Sequence, residues 1–128
     1  MHELQQLWPF LAMGVLVGSV AEWAAYRLSL WQYRSPFFLA LNVLGMFGGV
    51  MGWVAGLQLS WELKVMIASL IGTLYELLNM YVLQVWTFPG QKLGPVRGGI
   101  CISLTLGLVW ACVPLIICST LNSLGYGC

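Results

Sequence analysis

Charge is what this sequence has least of. Only 7% of its 128 residues are Asp, Glu, Lys or Arg, whereas soluble domains carry roughly a quarter. The five basic residues never cluster and the formal net charge is +1. That excludes the basic stripe a nucleic-acid binder needs, so no nucleic-acid partner is expected. Histidine occurs once, and Cys101, Cys112, Cys118 and Cys128 form no Cys-x-x-Cys pair. Without clustered nitrogen and thiolate ligands, no zinc, haem or other metal or cofactor is expected. A Cys118–Cys128 disulfide stays open for an oxidising compartment, but inert apolar cysteine is the favoured expectation.

Other absences concern chemistry and targeting. There is no Gly-x-Ser-x-Gly, no Gly-rich loop ending in Gly-Lys-Ser/Thr, and no convincing Ser/His or Cys/His dyad. An enzyme is therefore not expected. No Lys or Arg precedes the first apolar run, so the positive lead of a secretory signal is lacking and that run is expected to remain as a helix.

What the chain has in quantity is apolar surface: 60% hydrophobic residues and a mean hydropathy of +0.88. The pattern predicts a single integral membrane domain over 1–128, all-α, with four transmembrane helices at about 8–31, 37–58, 64–87 and 98–119, each near the ~20 residues that cross a bilayer. The runs are continuous rather than alternating, which points to helices and not barrel strands. Arg27 and Arg34 flank loop one, Lys92 and Arg97 lie in loop three, and loop two holds only Glu62 and Lys64. The positive-inside bias then puts loops one and three in the cytoplasm and both termini on the outer side, with a bacterial inner membrane as the expected location. Trp8 and Trp61 fit the outer aromatic belt; Trp31, Tyr33, Trp86 and Phe88 fit the inner one.

The two halves, about 7–60 and 61–120, align as a repeat. Gly14-x3-Gly18-Ser19-x2-Glu22 followed by Trp31-x-Tyr33 matches Ala68-x3-Gly72-Thr73-x2-Glu76 followed by Trp86-x-Phe88. Each half is a hairpin of two spans, so the copies are expected to share one topology about an axis along the membrane normal. The small residues Gly14, Gly18 and Gly72 make faces for close helix packing, and spans one and three are expected to form the inner pair. Gly45, Gly49 and Gly52 give span two further small surface, suited to a neighbour within the chain and to another subunit.

Glu22 and Glu76 are the costly residues, since a carboxylate at mid-membrane costs about 3 kcal/mol on insertion scales. Tyr26 lies one turn after Glu22, Tyr75 precedes Glu76, and Asn79 falls on the face of Glu76. Two carboxylates in one low-dielectric site resist joint ionisation, which suggests a shared proton or a bound cation. Arg27 offers another account, reaching Glu76 as a fixed counter-ion or snorkelling outward with Arg34. Ser19, Thr73, Tyr26, Arg27 and Asn79 thus join the two acids as candidate site residues. Asn42, Ser103 and Thr105 are expected to bond between helices, and Trp23, Trp53 and Trp110 to pack.

In length, in span count and in the acid of span one, the chain resembles the small multidrug resistance transporters. Glu76 departs from their pattern and their signature segment around span three is absent, so none of their site residues is carried over. The reading is a transporter or channel for a proton, small cation or cationic solute, working as a homo-oligomer in the lipid bilayer. The alternative is a non-catalytic accessory subunit of a larger energy-converting or photosynthetic membrane complex.

Overall fold

The computed structural model describes the backbone from His2 to Cys128 and side chains from Gln6 onward; Met1 and the side chains of residues 2–5, His2 among them, lie outside the described residues. Among the described residues four helices are long and apolar enough to cross a membrane: span one (Gln6–Leu28), span two (Pro36–Gly56), span three (Trp61–Leu83) and span four (Gly99–Ser123). Their boundaries follow local chemistry. Pro36 takes the first position of span two, where its missing N–H is no loss, and Ser60 caps span three by accepting from the Leu63 amide. Gln84, at φ 50°, ends span three in the left-handed region.

Two stretches are wound as π-helix, Asn42–Met51 in span two and Asn79–Leu83 at the end of span three. Each begins at a buried asparagine. π-winding is rare and concentrates at functional sites.

The connections at one end are tied together. Loop one carries strand β1 (Gln32–Tyr33), and after span three comes β2 (Trp86–Thr87); the two pair antiparallel, with Gln32 opposite Thr87 and Tyr33 opposite Trp86. Strands β3 (Lys92–Leu93) and β4 (Val96–Arg97) then form a hairpin. Gly94, at φ 58°, supplies the positive φ that a two-residue hairpin turn takes at its first position. At the other end the rings of Trp8 and Tyr126 meet edge to face at 6.5 Å. Spans one and three therefore run in one direction, and two and four in the other.

The inner pair is not spans one and three, as their small faces suggest, but spans two and four. Those are 44% and 50% buried over their most apolar windows, against 22% for each of the other two. The reason is steric. Phe47 fills the space that a side chain at Gly18 would occupy, and Trp110 does the same at Gly72. The two rings then meet at 4.5 Å in the centre of the bundle. Gly18 and Gly72 thus each receive an aromatic ring from the neighbouring span. Gly14 instead presses on the backbone of span two at Phe47 and Gly48, and Gly52 on that of span one at Phe10 and Leu11. Among the described residues Gly45 has no atom within 4 Å of the position a Cβ would take, and Gly49 only a carbonyl of its own helix.

Three other expectations change. Cys118 and Cys128 are joined as a disulfide, Cα–Cα 5.5 Å: span four stops at Ser123 and Gly125, at φ 93°, turns the tail back along it. Ser103 and Thr105 do not bond between helices; each hydroxyl donates to the carbonyl four residues earlier.

Candidate functional site

Glu22 is 8% exposed and surrounded by donors. The Trp31 Nε1–H donates to Oε2 at 2.9 Å; Tyr33 Oη–H and Asn42 Nδ2–H donate to Oε1 at 2.6 and 2.8 Å. The chain achieves this by turning at Ser29, at φ 53°, so that loop one folds Trp31 and Tyr33 back under the end of span one. Every group facing the carboxylate gives a hydrogen, the pattern an ionised acid requires. Burial first, then the negative charge of Glu22, raises the Tyr33 phenol well above its ordinary value, which keeps it a donor.

Asn42 extends the network. Its Nδ2 also donates to Tyr33 Oη at 2.9 Å, while its Oδ1 accepts from Tyr75 Oη–H on span three. The Tyr75 ring lies 5.1 Å from Trp86 and 5.9 Å from Trp110. Beside it in sequence, Glu76 is 5% exposed. Its Oε1 accepts from Trp110 Nε1–H at 2.9 Å, and among the described residues its buried Oε2 has no partner at hydrogen-bond distance, the Trp86 side chain being a weaker second donor toward the carboxylate. The two acids thus differ: three donors bond Glu22 at hydrogen-bond distance and one bonds Glu76.

A cavity of about 450 Å³ opens at the loop-one end, lined by Glu22, Tyr26, Tyr33 and Arg34 among others. It brings Glu22 within reach of that surface.

The other sequence candidates fall outside the network or serve it indirectly. Tyr26 lines the cavity but is 80% exposed. Arg27 is exposed, its guanidinium 5.9 Å from the Trp23 ring centroid, and among the described residues no ion pair links it to either acid. The exposed Ser19 donates to Val15 O at 2.8 Å. Thr73 packs its hydroxyl against Gly107 of span four. Asn79 shares the burial of Glu76, but its amide is spent on the chain that follows: Nδ2 donates to Trp86 O at 3.0 Å and Oδ1 accepts from Val85 N at 2.9 Å. Asn79 therefore shapes the exit of span three.

The sequence reading left out Trp31, Tyr33 and Trp110 as partners of the acids, assigning them to interfacial belts or packing; Asn42, expected to bond between helices, does so with Glu22 and Tyr75. One signal pointed to Trp31 and Tyr33: in each half an aromatic pair follows the acid at nearly the same distance. Among known proteins, no family model, no curated protein and no solved structure matches this chain.

Proposed function

We propose that this four-helix membrane protein is a small transporter or channel for a proton, a small cation or a cationic solute, and not an enzyme. Glu76 is the group that takes up and releases the charge. One observation carries the reading: among the described residues, Oε2 of Glu76 is buried with no partner at hydrogen-bond distance. An ionised carboxylate oxygen left bare in an apolar surrounding costs several kcal/mol, and a proton or cation bound there removes that cost. Glu22, lining the cavity and joined to Tyr75 through Asn42, is the companion acid through which that end of the bundle reaches Glu76.

The reading includes a duplicated hairpin. The same spacing separates Gly18 from Gly72 and Glu22 from Glu76. Phe47 seats on Gly18 as Trp110 seats on Gly72, and the β1–β2 ladder pairs one half with the other. These support an axis along the membrane normal between the halves. The charge bias supports cytoplasmic loops one and three and a bacterial inner membrane. A homo-oligomer is favoured by Gly45, whose open face is not used within the chain.

The test is flux into liposomes containing the purified chain and an internal pH indicator, driven by a potassium diffusion potential. Wild type is expected to acidify or alkalise the lumen with the sign of the potential, and Glu76→Gln to abolish this with folding intact. Wild-type liposomes passing neither protons nor any monovalent cation would reject the reading. The same outward Gly45 face also suits a non-catalytic subunit of a larger membrane complex, and stoichiometric partner proteins after mild extraction would favour that account.

A further inference from the structure

At the opposite end of the bundle a second ionisable group is buried. Lys64, in the first turns of span three, is 4% exposed. Its Nζ donates to Ala55 O at 2.8 Å, and the sulfurs of Cys118 and Cys128 lie 3.7 and 3.8 Å away. An ammonium carries three donors, and sulfur in a disulfide is a weak acceptor, so one strong acceptor serves three hydrogens. Ala55 stands at the C-terminal end of span two, where the helix dipole supplies only a partial negative charge of about half a unit. Lys64 itself sits near the positive end of span three, which offsets that gain.

The same ammonium lines a cavity of about 1080 Å³. Among the described residues its wall holds no carboxylate side chain; Gln6 and Gln58 add neutral amide donors, and Trp8, Phe10 and Trp53 add apolar surface. An ammonium with one strong acceptor at hydrogen-bond distance and no described side-chain carboxylate in its cavity, amides beside it and aromatic walls leading away fit an acceptor-rich anionic head on an apolar body.

We propose that this cavity binds a phosphate-bearing amphiphile, an anionic lipid of the adjoining leaflet, with its phosphate on Lys64 and its acyl chain along Trp8 and Trp53. Free phosphate shares the headgroup chemistry but has nothing to place on the aromatic walls. The site is independent of the two acids and of the transport reading.

The test uses the intact protein in neutral detergent, with lipid binding read by native mass spectrometry. The probes are phosphatidylglycerol, phosphatidylcholine and inorganic phosphate. Wild type is expected to bind phosphatidylglycerol about tenfold more tightly than phosphatidylcholine, because both lipids offer Lys64 the same phosphodiester but the choline ammonium of the second is repelled by it. Lys64→Met should erase the preference, Lys64→Arg should keep it, and Lys92→Gln, at the other end of the bundle, should leave it unchanged. Equal binding of the two lipids by wild type overturns the proposal, whether or not Lys64→Met folds. So does a preference that survives Lys64→Met or disappears in Lys92→Gln. Displacement of phosphatidylglycerol by millimolar inorganic phosphate alone, with no contribution from chain length, overturns the lipid assignment in favour of free phosphate.

Discussion

Tyr75 donates its phenolic hydrogen to the side-chain carbonyl of Asn42, and through that amide the residue beside Glu76 is joined to Glu22. This bond is a side-chain link between the two hairpins. Tyr75→Phe should leave the Asn42 oxygen buried and unpaired, costing about 1–3 kcal/mol. Thermal unfolding in detergent measures the cost. Under the transport reading the same variant should slow flux while Glu22 keeps its three donors; an unchanged flux would separate the acids functionally.

The two acids should respond differently to the same substitution. Glu22→Gln puts an NH2 group among three donors and should destabilise by about 1–3 kcal/mol. Glu76→Gln replaces an oxygen that has no partner and should change stability by less than about 1 kcal/mol. Equal losses in the two unfolding temperatures would contradict the asymmetry.

Alkaline stability should report on Tyr33. Its phenol is raised by burial and by the Glu22 charge, so the folded state holds its proton longer than the unfolded chain does. The stabilising contribution is complete below the ordinary phenol value of about 10 and is lost as pH rises beyond it. Wild type should therefore lose stability above about pH 10 more steeply than Tyr33→Phe. Parallel alkaline unfolding curves would refute this.

Glycine substitutions should divide by what faces them. A Cβ at Gly72 would meet the Trp110 side chain and one at Gly18 the Phe47 ring, so Gly72→Ala and Gly18→Ala should each cost about 1–3 kcal/mol through overpacking. Gly45→Ala meets nothing within the chain and should be neutral or slightly stabilising for the monomer. If Gly45 serves an assembly, the larger Gly45→Leu should shift the oligomer towards monomer in light scattering without lowering the unfolding temperature.

The disulfide closes a loop of sequence separation 10, for which chain entropy gives about 2–3 kcal/mol. Cys128→Ser should lower stability by about that amount and free the tail that walls the Lys64 cavity, as increased proteolysis after Leu124 would show.

The four spans were legible because length and continuous hydropathy suffice to mark them, and Glu22 and Glu76 were legible because carboxylates are conspicuous in such runs. The inner pair was misread for a specific reason: glycine spacing marks a face for close approach but not its occupant, and the occupants, Phe47 and Trp110, lie on spans two and four. The partners of Glu22 were hidden by loop one. Trp31 and Tyr33 look like belt residues until the turn at Ser29 and the pairing with Trp86 bend them inward. Asn79 shares a helical face with Glu76 in sequence, but π-winding and the left-handed Gln84 redirect its amide to the backbone beyond. The Cys118–Cys128 bond depends on the reversal at Gly125, which hydropathy does not register.

The hydrogen-bond donors of each acid have a consequence for the order of events at the ribosome. Trp31, Tyr33 and Asn42 all precede span three, so the first hairpin contains everything Glu22 needs before the second is synthesised. Trp110 does the same for Glu76 at the end of the chain. Each half can enter the bilayer with its own acid bonded, leaving the β1–β2 ladder and the Tyr75–Asn42 bond among the polar contacts made on meeting. The two hairpins, produced as separate polypeptides in one cell, should therefore recombine into a co-purifying pair.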